Sequence, residues 1–503
     1  MATKKLKKIN RKSRKTKKTR KTRGGNDFDF INICSDSSYC LSFGIEADNI
    51  INYFDSYKNF DLVKIDQIKR LGKPSNNGFV TELPYSKNNY ESFAVLKSSV
   101  NEFADNLIYE GIVGGCFINK MSKRFPCFVE TYGIGHYKDY NLYEALLKGK
   151  PITKEILKTL EIELPTINKI SESCLNAKYN CILVQHLKNI KAIDDVYKTM
   201  DFLELAQYIY QVYSVLDKLK LNFTHYDLHT DNVVIYYPSQ KDLKYYPRKD
   251  KYVTMIYNYS DGKKISFKTT GIVKIIDYGR SYFYVDEKIN STKIYETICK
   301  TPSCNKPSSS ASSASPSSAS PSSESSASPS SSPSSSSPSS SSESSSTASS
   351  PSSSSSETSS ASSLPSSSST SSKSCGYYKG YAWFEDGDAT FINSKKRNMS
   401  HDLRMLNIIL DNEENLIYNH NDGTKEEITG QYITGQTNTN KIVNVTDAHL
   451  WFRDILLSNE FIESNNKQFK YSSELGILEI WLDEDRPMIY TQTTKQKKKN
   501  LYT

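Results

Sequence analysis

No two cysteines form a CxxC pair, no acidic residue occurs in positions 1–26, and no run of about 18 apolar residues occurs in the 503-residue chain. The last absence excludes a membrane-spanning helix at the level of sequence, and the first residues hold no apolar core of the signal-peptide kind. An intracellular, soluble protein with no membrane span is expected. Nine cysteines, an odd number without a secretory signal, point to free thiols in a reducing compartment rather than a disulfide framework. Cys299, Cys304 and Cys375 offer three thiolates for zinc, but without a CxxC pair ordinary thiols remain the alternative.

What is present is unevenly spread. The hydrophobic content of 37% is low for a compact enzyme, and the shortfall lies in a tail and a serine tract. The net charge of +9 is local too. Residues 1–26 hold thirteen of the 65 Lys and Arg and none of the 56 Asp and Glu, so the remainder carries about −4. The run "KKLKKINRKSRKTKKTRKTRGG" repels itself and is expected to be disordered. It reads as a solvated arm, a nuclear-targeting segment, or a polyanion or nucleic-acid contact working through counterion release.

The chain divides into a basic tail (1–26), an N-terminal extension (27–59), a stretch of alternating strand-like and helix-like segments (60–305), a Ser/Pro/Ala-rich tract (306–374), resumed apolar sequence (375–490) and a basic C-terminal tail (491–503). The tract cannot bury enough apolar surface to offset chain entropy, and is expected to be disordered. Such a tract ordinarily separates domains. Its hydroxyls could accept phosphate, or it could be an inert linker.

Within 60–305, "DLVKIDQIKRLG" and "ESFAVLKSSV" read as strands from their apolar and β-branched content. "SVNEFADNLIYEGIVGGCFINKM" reads as a helix weakened by Gly111, Gly114 and Gly115. "CILVQHL" suits a buried strand, and residues 200–222 space Leu203, Leu205, Ile209, Val212, Val215, Leu216 and Leu219 along one helical face. A hairpin is expected to turn at Asp261-Gly262.

The stretch "FTHYDLHTDN" (223–232) concentrates ionisable groups between that helix and the strand "VVIYY". His225-x-Asp227-Leu228-x-x-x-Asn232 is followed, after a second apolar strand "IVKII", by Asp277-Tyr278-Gly279. Phosphoryl transfer calls for such a set: a carboxylate near the nucleophile's hydroxyl, and an Asn and an Asp as oxygen ligands for magnesium. Glycine after the metal-binding Asp is expected to allow the turn.

These motifs resemble the protein-kinase-like superfamily, whose catalytic loop reads H-R-D-L-K-x-x-N and whose metal loop reads D-F-G. The resemblance extends over roughly residues 60 to 480. "FAVLK" supplies Lys97 in place of V-A-I-K, and "LGKPSNNGFV" supplies Gly72, Ser75 and Gly78 before Val80 as a degenerate Gly-rich loop. Glu110 is the implied partner of Lys97, with Glu102 the alternative. "CILVQHLKN" falls at the inter-lobe hinge, placing Gln185 and His186 beside the nucleotide. "NMSHDLRMLNIIL" is similar to the central large-lobe helix whose Asp, here Asp402, braces the catalytic loop. "DAHLWFRDILLSNEF" falls where a late large-lobe helix belongs. The Ser-rich tract then interrupts a single domain where an activation segment belongs.

The resemblance implies an α+β, two-lobed fold with a small β-rich N-lobe and a larger, mainly helical C-lobe. It implies an ATP- and Mg²⁺-dependent phosphotransferase, most simply a serine/threonine protein kinase-like enzyme acting on a protein hydroxyl. Lys97 holds phosphates, Asp227 orients the acceptor, Asn232 and Asp277 bind magnesium, and His225 and Gly279 are structural braces. Three departures bear on the acceptor. His229 stands where protein kinases carry a Lys and has no fixed charge near pH 7. Asn232 and Asp277 are separated by an apparent exposed β-ribbon, and no A-P-E motif precedes Asp402. A small-molecule kinase and a catalytically silent scaffold are the alternatives. The richness in Lys, Asn, Ile and Tyr, with "PCFVETYG", looks like proteins of large nucleocytoplasmic DNA viruses.

Overall fold

A computed structural model describes residues 46–72, 74, 78–88, 90–100, 106–164, 177–238, 251–294, 380–383, 389–392, 396–411, 417–419, 425–427, 442 and 444–492. The basic tail, Ser75, Glu102, Cys299, Cys304, Cys375 and the Ser-rich tract lie outside them. The chain divides into one unit of residues 1–305 with 375–503 and a second of 306–374, and every described residue belongs to the first. Among the described residues, no helix is long and apolar enough to cross a membrane.

The fold is α+β, in an arrangement compatible with two lobes. Strands β1 (Lys69–Leu71), β2 (Gly78–Lys87), β3 (Tyr90–Ser99), β4 (Thr131–His136), β5 (Glu161–Glu163) and β6 (Asn180–Gln185) form an antiparallel sheet in the order β1-β2-β3-β6-β4-β5. Before it comes helix α1 (Glu46–Tyr53), and between β3 and β4 runs helix α2 (Asn106–Val113). "DLVKIDQIKRLG" does not form one strand. It makes 3₁₀ turns at Phe60–Leu62 and Ile65–Gln67, and pairs as a strand only at Lys69–Leu71. The Asn59 side chain accepts from Asp61 N–H, and Val63 meets β2 in a single bridge, so the buried Phe60 and Val63 serve turns rather than a continuous ladder.

The glycines expected to weaken α2 mark its closest packing. A Cβ on Gly111 would stand 2.7 Å from Ile134 Cγ1, and one on Gly114 would stand 2.0 Å from Thr131 Oγ1. Only glycine lets the helix lie this close to the sheet. From Gly114 the helix widens into a π-turn through Ile118 and resumes at Asn119–Met121.

The second region contains strands β7 (Ile190–Ala192), β8 (Phe223–Thr224), β9 (Val233–Tyr236), β10 (Lys251–Asn258), β11 (Lys264–Thr269), β12 (Ile272–Ile275), β13 (Tyr282–Phe283), β14 (Ser473–Trp481) and β15 (Ile489–Gln492). Its helices are α3 (Phe202–Leu219), α4 (Arg404–Asp411), α5 (Val445–Leu457) and α6 (Asn459–Gln468). Among the described residues it is not mainly helical. The expected exposed ribbon, β10–β11, is half of a four-stranded sheet ordered β11-β10-β14-β15, with β10 parallel to β14. Val253, Met255, Tyr257, Ile265 and Phe267 are buried there, because the ribbon packs against α3, α5 and α6. Its turn carries Gly262 at φ 81°.

Helix α3 departs from a single apolar face: every residue except Lys218 is buried. Asp201 caps it by accepting from Leu203 and Glu204 N–H. Two of its polar members are bonded inside, Gln211 accepting from Val273 N–H and Asp217 from His449, Lys220 and Thr446, whereas the buried Ser214 hydroxyl has no hydrogen-bond partner among the described residues. The turn between β14 and β15 also reaches the segment after α2, where Arg124 donates to the Glu484 carbonyl and Met488 N–H to the Lys123 carbonyl.

Gly114→Val is expected to cost about 1–3 kcal/mol through overpacking against Thr131. Thermal melting checks it, and an unchanged Tm would contradict the close helix–sheet approach.

Candidate active site

Lys97 sits on β3 opposite Val80 on one side and Ile182 on the other, in the middle of the first sheet. Its Nζ donates to both carboxylate oxygens of Glu110, at 2.7 and 2.8 Å, and lies 3.8 Å from Asp277 Oδ1. Glu110 is buried, held over the sheet by the close approach of α2. Burial pushes its carboxyl up to about 7 against the pull of Lys97. Burial opposes charge on Lys97 as well, but the Asp277 and Glu110 carboxylates outweigh it and raise the ammonium above its usual range. Lys97 in turn holds the Asp277 carboxyl below its ordinary value.

Asp277 follows β12, which pairs with β9. The turn expected to rely on Gly279 instead places the left-handed conformation on Asp277 itself, at φ 69°, and Gly279 is not among the positive-φ residues. The reason lies in the partners: Lys97 and the Gly279 main chain both draw the carboxylate, which fixes the backbone that carries it. Asn232 ends the short turn Thr230–Asn232, and its amide nitrogen donates to the Asp227 carbonyl at 2.8 Å. Ile276 N–H donates to the Asn232 carbonyl, drawing the two loops together.

The stretch 223–232 is fixed from within and from across the chain. His225 is fully buried; its Nε2 donates to the Ile276 carbonyl at 3.0 Å, and its Nδ1 accepts from Asp227 N–H. Burial lowers its pKa, despite Asp227 and Asp277 nearby. Asp402, beyond the Ser-rich tract, accepts from His225 N–H at 2.8 Å and Tyr226 N–H at 2.9 Å. Tyr226 sits at φ 63°, a conformation that a bulky residue adopts only when held there. Burial pushes the Asp402 carboxyl up to about 7 in spite of the two donors.

Asp227 is contacted by two cations. Arg404 Nη1 donates to Oδ1 at 2.9 Å, and Arg280 Nε lies 3.8 Å from Oδ2. His229 is committed elsewhere, its Nδ1 accepting from Asp231 N–H at 3.3 Å. Arg280 and Arg404 were missed by sequence reasoning, although each had a signal: Arg280 directly follows D-Y-G, and Arg404 comes two residues after Asp402.

A cavity of about 200 Å³ lies between the two regions of strand, lined by Val80, Val95, Val129, Val184 and Ile276 together with Lys97, Glu110 and Asp277. Gln185 and His186 line it, but their main-chain N–H groups bond Glu130 and Phe93 carbonyls. Gly72 stands at φ 64° after β1, and Gly78 opens β2. The His186 ring bonds Glu82 at 2.8 Å, and Lys188 donates to both oxygens of that same carboxylate at 2.6 Å. Glu82 and Lys188, which tie β2 to the segment after β6, were also missed. Burial would raise the Glu82 carboxyl, but His186 and Lys188 hold it at about 2. Among the described residues, no three His, Cys, Asp or Glu side chains cluster as a metal site.

Because its folded pKa lies below the ordinary value of 4.5, Glu82 contributes stability above about pH 4.5 that is lost as pH falls toward 2. Glu82→Gln is expected to lower Tm at pH 7 and to flatten its fall over that acid window. Equal Tm–pH profiles for the two proteins would contradict this. Compared with known proteins, the sequence matches no family model and no curated protein.

Proposed function

We propose that the chain is an ATP- and Mg²⁺-dependent phosphotransferase of two-lobed, protein-kinase-like fold, transferring the γ-phosphate to a serine or threonine hydroxyl of a protein. The observation that carries this reading is the convergence of Lys97, Glu110 and Asp277 in the wall of a largely apolar cavity, with Asn232 tied to Asp227 on the adjoining loop. A largely apolar slot with a few convergent charges in its wall suits a flat base with a polyphosphate tail.

In this reading Val80, Val95, Val129 and Val184 enclose the base, and Gln185, His186 and Leu187 line the slot. Lys97, kept in place by Glu110, meets the α/β-phosphates. The oxygen donors Asn232 and Asp277 suit a hard cation, and Asp277, with its side chain half exposed, is accessible to one. Magnesium held there would neutralise charge on the phosphates. Asp227 orients the acceptor hydroxyl. The acceptor oxygen bonds to the γ-phosphorus, the bond to the β–γ bridging oxygen breaks, ADP leaves with the electron pair, and the hydroxyl proton passes to Asp227. Positioning and charge neutralisation supply the rate, with no covalent intermediate on the enzyme.

Labelled ATP offered to a protein mixture and a metabolite mixture tests the reading. Label is expected on protein Ser or Thr, and Asp227→Asn and Asp277→Asn are each expected to abolish transfer. Label on a metabolite alone would replace the protein acceptor with a small molecule. A Mg·ATP-dependent rise in Tm with no turnover would replace the enzyme with a binding scaffold.

A further inference from the structure

One short stretch grips the loop 223–232 twice. Asp402 takes the main-chain N–H groups of His225 and Tyr226, and two residues later Arg404 Nη1 donates to Asp227 Oδ1 at 2.9 Å. The Arg404 and Asp227 side chains are 16% and 18% exposed, so the pair is largely shielded from the solvent that weakens surface ion pairs. The two oxygens of Asp227 are therefore unlike. Oδ1 is fixed by a short charged hydrogen bond, whereas Oδ2 has a looser 3.8 Å contact with Arg280 among the described residues. His229, the loop's own candidate for a facing cation, caps the Thr230–Asn232 turn instead.

We infer that Arg404 is the positioning residue that aims the Asp227 carboxylate at the acceptor hydroxyl, an inference that rests on the phosphotransferase reading. A carboxylate on a loop can turn about its side-chain bonds. A planar guanidinium, itself anchored on α4 and always protonated, fixes that turn through a directional bond to one oxygen and leaves the other for the acceptor. Arg404 exchanges no proton in the step. The acceptor proton goes to Asp227 Oδ2 while the new oxygen–phosphorus bond forms and ADP departs with the electrons of the broken one. Asp402 sets the loop backbone, Arg404 sets its carboxylate, and one three-residue stretch places both.

The test uses the full chain with γ-labelled ATP and magnesium, reading label released to water or transferred to protein. Arg404→Met is expected to lower kcat about 10- to 100-fold, with KM for ATP changed less than about twofold. The rise in Tm on adding Mg·ATP should persist, and Arg404→Lys should recover part of the rate. Asp227→Asn and the Asp227→Asn/Arg404→Met double variant should be equally slow, because Arg404 acts through Asp227. An Arg404→Met enzyme as fast as or faster than wild type, beside an inactive Asp227→Asn, would overturn the positioning role and leave the phosphotransferase reading standing. So would loss of the Mg·ATP-dependent Tm rise in Arg404→Met, which marks general damage. Wild-type turnover by Asp227→Asn would overturn both.

Discussion

The carboxylate of Asp402, bonded to two consecutive main-chain N–H groups far away in sequence, is the interaction on which the site depends. It is buried, and burial costs a charged group heavily unless donors meet it. His225 and Tyr226 are those donors, and Tyr226 is held at positive φ by the same contact. Removing the carboxylate would leave two buried N–H groups unsatisfied, at about 1–3 kcal/mol each, and would release a strained turn. Asp227 follows that turn directly. Sequence on both sides of positions 306–374 is therefore needed to shape one loop, and β10–β14 pairing joins the same two stretches in one sheet.

Charge alternates in sign in both clusters of the site. Lys97 lies between Glu110 and Asp277, and Asp227 lies between Arg404 and Arg280. These cations offset part of the repulsion among the carboxylates, although burial and the nearby Asp277 still raise the Glu110 carboxyl. The arrangement also leaves Asp277 half exposed and Asp227 less so, which in the proposed reaction suits the first to a metal ion and the second to a single aimed hydroxyl. Glu82, with His186 and Lys188, is a separate lock at the rim, tying β2 to the segment after β6.

Local signals were legible in the sequence and distant partners were not. The apolar and β-branched content of "ESFAVLKSSV" marks β3, and the apolar spacing of residues 202–219 marks α3, because both are written in neighbouring residues. The same spacing could not tell that α3 is enclosed on nearly every side, since that depends on α5 and on β11 and β12. Nor could the ribbon β10–β11 be seen as buried, because its partner β14 lies some 220 residues later. The run "DLVKIDQIKRLG" misleads for a different reason: its apolar residues sit under 3₁₀ turns, and strand and turn share that composition. At Asp277 the expectation that glycine would take the left-handed turn failed because ionic partners, not intrinsic freedom, set that backbone. Arg404 stands beside a motif residue, but its pairing with Asp227 could not be read from sequence, since the two are 177 positions apart.

That residues on both sides of positions 306–374 build one phosphotransferase site is tested most directly by magnesium-dependent transfer of labelled γ-phosphate in wild type and Asp402→Ala, measured side by side. Wild type should transfer label, and Asp402→Ala should lose at least about 100-fold in kcat, as expected when a catalytic group is displaced by about 1 Å. Equal rates in the two proteins, or no transfer by wild type to any acceptor including water, would contradict it.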